Sequence, residues 1–246
     1  SQDRLAVKVK HAEPLYLDLM RDLGARKGEA EFNVGYGIQQ YSDSKAHTGF
    51  VEYEWAIADR LGLEVEVPLR FSKNKTSSYH QDVEGLKLGS QYTFFVSEKQ
   101  QASFAIGYMH ELELGQNNDP QVADRIFKES IASPFFVAAK NFNAISTLLY
   151  VGPQFAYDME EKLTHTSWSL NGNVHYMVPN SNHFIGIENN INIINGKVDY
   201  VMRPQVKVAL QHNFAIGILS GIPIKSERFK MDFMTRVIWE PNFKKH

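Results

Sequence analysis

The chain contains no cysteine in its 246 residues. That excludes disulfides, thiolate metal centres and a cysteine nucleophile, and it suits a protein that crosses an oxidising compartment without forming bridges. No stretch approaches the roughly eighteen consecutive apolar residues of a transmembrane helix, and no apolar signal-peptide core opens the chain. The start, Ser1-Gln2-Asp3, suits a mature chain after cleavage. An excess of basic residues is also missing. The net charge is -2 and the pI is near 6.5, which leaves no global positive field for binding nucleic acid. A Pro/Ser/Gly-rich linker is absent too, so one domain is expected. The mean hydropathy of -0.34 is compatible with a transmembrane β-barrel, because alternation halves the apolar content of each strand.

What the chain does have is a period of two. In GFVEYEWAIADRLGLEVEVPLRF, residues 49–71, Val51, Tyr53, Trp55 and Ile57 alternate with Phe50, Glu52, Glu54 and Ala56. After Ala58-Asp59-Arg60, the residues Leu61, Leu63, Val65, Val67, Leu69 and Phe71 alternate with Gly62, Glu64, Glu66, Pro68, Arg70 and Ser72. A strand with one apolar face and one glutamate face fits a sheet that meets different solvents on its two sides. The same pattern predicts twelve strands, at 29–40, 47–57, 61–73, 84–96, 101–114, 132–141, 144–157, 166–178, 183–194, 198–210, 213–225 and 228–239. Their length, mostly about ten to fourteen residues, is what a tilted strand needs to cross hydrocarbon. Short connections such as 58–60 alternate with longer ones such as 115–131, although the contrast fades late in the chain.

The expected fold is therefore all-β: a twelve-stranded antiparallel transmembrane β-barrel of the bacterial outer membrane, with lipid around it and periplasmic termini. Trp55 and Trp239 at the turn end, with Trp168 and Tyr157 at the loop end, suit interfacial girdles. Pro68, Pro134, Pro153, Pro204 and Pro223 fall inside predicted strands and should mark bulges or bends. Residues 1–28 precede the barrel, which is assigned to 29–246. Within them Leu15, Tyr16, Leu19, Met20 and Leu23 share a helical stripe between Pro14 and Gly24, which predicts a short amphipathic helix over 14–23. Such a helix covers the barrel rim, plugs the lumen, or docks a protein partner. A second short helix is read after Asp119-Pro120, with Val122, Ile126, Phe127 and Ile131 on its apolar side.

The run His11-Ala12-Glu13-Pro14-Leu15, with Arg21-Asp22-Leu23-Gly24-Ala25-Arg26-Lys27-Gly28 and RLGLEVEVPL at 60–69, resembles a family of bacterial outer-membrane barrels. The likeness is concentrated in residues 11–71. It implies the fold and the compartment and brings no substrate or catalytic residue. Relatives sometimes carry the name phosphoribosylformylglycinamidine synthase. That activity is set aside, because this chain has no cysteine for an amidotransferase site, no nucleotide-binding glycine loop and too few residues.

With the apolar faces outward, Glu29, Glu31, Glu52, Glu54, Glu64 and Glu66 line one wall of the lumen, Arg70 lies further along it, and Arg203, Lys207, Lys225, Lys230 and Arg236 line the other. Closure brings the two walls together. The charges form either a salt-bridge network filling a narrow barrel or a track for a permeating solute; Arg21, Arg26 and Lys27 are expected to reach the glutamates. An outer-membrane lipid hydrolase is a remote alternative suggested by His165 and Ser167. Both face inward, away from lipid, and no third residue orients the imidazole, so no catalytic residue is assigned. The nine histidines lack metal-ligand spacing, and neither a metal nor another cofactor is expected. Function divides between a narrow passage for small polar solutes and a non-conducting accessory barrel. Either way the protein should require detergent for extraction and should migrate differently on gels before and after heating. A monodisperse, detergent-free solution would contradict the barrel.

Overall fold

The computed structural model describes residues 6–17, 19–42, 45–73, 79–115, 127–226 and 229–241, except for the side chains of 72, 73 and 79–81. The strands are β1 (Ala30–Tyr41), β2 (Lys45–Ala58), β3 (Leu61–Lys73), β4 (Tyr79–Val83), β5 (Gly85–Ser97), β6 (Ala102–Leu114) and β7 (Phe127–Phe142). They continue as β8 (Ile145–Asp158), β9 (Leu163–Met177), β10 (Phe184–Ile194), β11 (Lys197–Gln211), β12 (Phe214–Lys225) and β13 (Phe229–Trp239). Only Glu84 separates β4 from β5. Its N–H donates to the Pro68 carbonyl at 2.9 Å, and β3 changes partner from β5 to β4 around it. The two therefore occupy one position in the wall, which makes twelve positions in all.

Each wall position pairs antiparallel with the next in sequence, and β13 returns to β1 with Phe32 opposite Trp239 and Gln39 opposite Asp232. The sheet is closed. Closure pairs the strand groups that a free edge would expose, which is the condition for crossing hydrocarbon. The prolines sit where a ladder can spare a donor. Pairing of β7 with β8 lapses between Ala132–Phe155 and Phe136–Val151, where Pro134 and Pro153 face each other. Pro204 lies in a gap of the β11–β12 ladder, and Pro223 adjoins a register shift in it. At the β10–β11 hairpin, Asn195 and Gly196 take φ of 51° and 74°, the left-handed pair a tight two-residue turn requires.

Side chains divide as the alternation demands. Ile185, Ile106 and Phe233 are 58%, 53% and 46% exposed and point outward, while Glu52, Glu64 and Glu188, at 1% or less, point inward. Trp168, Trp239 and Tyr157 are exposed, and Trp55 stacks on Tyr53 with ring centroids 5.3 Å apart. This is an apolar belt around a polar interior, inverse to a soluble protein.

Two expectations are corrected. No described residue of 14–23 is helical; the segment runs through bends and turns inside the barrel, with Asp18 outside the described residues. Phe127 and Ile131 belong to β7, which begins five residues before the predicted 132, while 119–126 of the second expected helix lie outside the described residues. Strand β9 likewise begins at Leu163, ahead of 166. The loops there are accordingly shorter than the sequence suggests.

Phe233 lies at the middle of β13 on the outer face. Phe233→Arg is expected to cost about 2–4 kcal/mol in a bilayer, whereas Phe233→Leu should cost much less. Equilibrium unfolding in lipid vesicles measures both.

Candidate functional site

Residues 6–17 and 19–28 form a strap that dips into the lumen from the turn end and returns. Contacts run around the wall. His11 Nδ1 donates to Asn141 Oδ1 at 2.9 Å, and its Nε2 is 3.0 Å from Ser103 Oγ. The Ala12 N–H donates to Ser146 Oγ, Leu15 N–H to Gln205 Oε1 at 2.7 Å, and Gly24 N–H to Thr93 Oγ1. Gln91 Nε2 donates to the Arg21 carbonyl. Strands β5, β6, β7, β8 and β11 thus each hold a part of the strap. These bonds explain why the strap is not a helix: the wall supplies partners that an i to i−4 ladder would otherwise provide.

The deepest anchor is Glu188 of β10. Its carboxylate accepts the Tyr16 N–H at 3.1 Å and the Leu17 N–H at 2.8 Å, together with Asn190 Nδ2 and Gln205 Nε2, each at 2.8 Å. Beside it the Arg203 guanidinium lies 3.5 Å from the centre of the Tyr16 ring and bonds Asp232 at 2.9 Å. Apolar contacts fix the sides of the strap. Leu19, Met20 and Leu23 pack with Phe135, Val137 and Tyr150, while Ala12 and Leu15 pack with Phe184, Leu219 and Ile238. Glycines make the room. A Cβ on Gly62 would lie 1.9 Å from the Met20 carbonyl oxygen, and one on Gly217 would lie 2.8 Å from a Leu15 methyl.

Charge is matched across the seam. Arg236 of β13 bonds Glu52 and lies 3.6 Å from Glu54, joining the two walls. Arg21, buried and held at φ 97°, reaches Glu31 at 3.1 Å, Glu54 at 3.6 Å and Asp22 at 3.0 Å. A non-glycine residue at such a φ costs of order 1–3 kcal/mol, which these partners offset. Lys87 pairs with Glu66 at 3.1 Å. Among the described residues, Glu52, Glu64 and Glu66 are the grouping whose donor atoms, all within 4.8 Å of one another, converge closely enough to take an ion. Arg236 and Lys87 already bring cations to two of the three.

The remaining expected residues are dispersed. Glu29 is held at 2.6 Å by Lys8, which also holds Asp22, so neither Arg26 nor Lys27 is its partner. Arg26 donates to the Ala6 carbonyl and Lys27 is exposed. Arg70 pairs with Glu84. Lys225 and Lys230 stand exposed at the loop end, and Lys207 faces a cavity at the turn end. Sequence reasoning passed over Lys8, Glu13, Asp22 and Glu188. For Glu188 a signal existed: Glu188, Asn190 and Asn192 alternate with Ile187, Ile191 and Ile193, one carboxylate on an otherwise neutral inward face.

Glu13 and Asp22 share a hydrogen bond inside the strap. Burial, then the charges of Asp22 and Glu31, push the Glu13 carboxyl well above its ordinary value. Burial alone would raise Asp22 as well, but the Arg21 guanidinium and Lys8 ammonium outweigh it and hold Asp22 well below the carboxylate range. Glu13 therefore keeps the proton and donates it to Asp22. Because its pKa is raised in the seated strap, Glu13 contributes stability that is present below the ordinary glutamate pKa of about 4.3 and is lost as pH rises through the raised value. Glu13→Gln should therefore seat the strap more firmly than wild type at pH 8, with the difference vanishing below about pH 4.3. Hydrogen exchange over residues 8–24 reads both arms.

The fold has solved counterparts. An outer-membrane channel from Pseudomonas putida F1 is similar over 92% of this chain and 100% of its own, with a TM-score of 0.65 at 14% identity. The KdgM porin, solved with disordered oligogalacturonate, is similar over 84% of this chain and 98% of its own, with a TM-score of 0.56 at 16% identity. The β domain of the Bordetella autotransporter BrkA follows at 0.50 and 10% identity, over 87% of this chain and 100% of its own. At these identities the likeness shows the outer-membrane barrel fold. No curated protein matches the sequence. The model of the HAEPLYID-like family matches residues 7–240.

Proposed function

The chain belongs to the HAEPLYID-like family, and we propose that it serves in the bacterial outer membrane as a narrow passage for small polar solutes, closed at its turn end by its own residues 6–28. The termini then lie on the periplasmic side. One observation carries the reading: the strap is held inside the lumen by five walls of hydrogen-bond partners and by the Glu188 anchor. The family's name also spells a peptide, HAEPLYID, that this chain carries at 11–18 as HAEPLYLD, the stretch that includes the deepest part of the strap. The channel and porin named for the two similar structures support a passage over an enzyme.

Above the strap the inner wall is polar. Glu111 and Glu113 of β6 face the lumen beside Glu129 of β7, with Lys87 opposite Glu111 in the ladder. Such a surface suits hydrated solutes and offers no apolar track for lipid. The strap sets the rate of passage. It must shift, or leave a gap beside it, for a solute to cross.

Planar-bilayer recording tests this. Deletion of residues 1–24 should raise conductance severalfold, and Gly62→Val, whose side chain cannot coexist with the Met20 carbonyl, should do so with the whole chain present. Valine is favourable in a strand, so the barrel itself should persist, as heat-modifiable migration would confirm. Folded variants that stay as silent as wild type would overturn the passage and favour a non-conducting accessory barrel.

A further inference from the structure

A cavity of about 370 Å³ opens at the turn end, with one side made by the strap and the other by the wall. Its size falls in the range of small-molecule sites, roughly 300–1,000 Å³. The floor is apolar: Phe184, Ala215 and Ile238 line it, are buried and belong to one cluster. Lys207 stands directly opposite Phe184 in the β10–β11 ladder. From the strap side comes Lys10, whose ammonium donates, among the described residues, to the neutral Ser181 carbonyl at 3.1 Å and Asn182 Oδ1 at 2.5 Å.

The charges of this cavity do not cancel. Four cations, Lys8, Lys10, Arg26 and Lys207, share the lining with three carboxyl groups, Glu13, Asp22 and Glu240, and Glu13 and Asp22 are hydrogen-bonded to each other. Lys8 and Asp22 satisfy each other at 2.6 Å. Among the described residues Lys10, Arg26 and Lys207 form no ion pair. Lys10 and Lys207 line the same cavity, and burial, then the Lys207 charge, push the Lys10 ammonium below its ordinary value against the opposing pull of Asp22 and Glu240.

We propose that this cavity binds a small organic monoanion, a carboxylate whose apolar body rests on Phe184, Ala215 and Ile238 and whose charged end lies between Lys10 and Lys207. An anion there relieves the repulsion between the two ammonium groups while removing apolar surface from water. Because one lysine belongs to the strap and the other to the wall, the ligand also ties the strap down and binds its seated form in preference. The inference goes beyond the passage reading. The cavity exists whether or not the lumen conducts, and its test measures no current.

The probe is benzoate, titrated calorimetrically into the full chain in detergent at pH 7, with benzyl alcohol, benzylammonium and inorganic phosphate as comparisons. Benzoate should bind saturably and more tightly than all three. Lys207→Gln and Lys10→Gln should each weaken it about tenfold, the size of one lost charge-assisted bond, and Lys207→Arg should restore most of the affinity. Heat-modifiable migration of each variant shows that the barrel is intact. Benzoate binding no tighter than benzyl alcohol, phosphate binding as tightly as benzoate, or lysine variants that bind like wild type would overturn the proposal.

Discussion

Closure of β13 on β1 is the constraint on which the rest of this structure depends. A sheet edge in hydrocarbon leaves unpaired N–H and C=O groups at a cost of several kcal/mol each, so the twelve wall positions must form a ring. The ring fixes which side chains converge. Arg236 meets Glu52 across 184 residues of chain, and this contact exists because the last strand lies beside the first and the first beside the second. It also fixes the interior as a confined polar space, where charges are paired or are expensive. The walls supply an arginine from one end of the sequence and glutamates from the other.

A confined lumen lined with donors and acceptors accounts for the conformation of the strap. The apolar residues of 14–23 have helical spacing, yet the backbone amides of Leu15, Tyr16 and Leu17 go to Gln205 and Glu188. An irregular backbone is tolerated at membrane depth when it is buried in protein that satisfies it. The apolar side chains then divide between two clusters on different parts of the wall, Leu19, Met20 and Leu23 on one and Ala12 and Leu15 on the other. A single helical stripe could not reach both. Gly62 and Gly217 let the strap approach the wall backbone, so the small residues of the barrel and the bulky ones of the strap are complementary.

The proton on Glu13, the paired Lys8 and Asp22, and the uncancelled Lys10 and Lys207 describe one electrostatic gradient along the strap. Deep in the lumen the charges are matched by partners across the walls. At the turn end Lys8 is paired with Asp22 and Glu29, whereas Lys10 and Lys207 form no ion pair among the described residues. That difference leaves Lys10 and Lys207 at the end that solvent reaches, where the proposed anion site adjoins the strap.

The sequence by itself determined the twelve wall positions, the antiparallel order and which side chains share a face, because alternation is a local property with a period of two and needs no partner to be read. It also placed Glu31, Glu52, Glu54, Glu64, Glu66, Arg203 and Arg236 inside, where the structure finds them buried. The tertiary structure alone decided the pairings. Lys8, not Arg26 or Lys27, took Glu29, and Glu188 became the anchor of the strap. The helix read over 14–23 failed for the same reason: helical spacing describes a segment in isolation, whereas this one satisfies its backbone on side chains 171 to 190 residues away. Contacts of that separation depend on how the ring closes, and no local pattern encodes them.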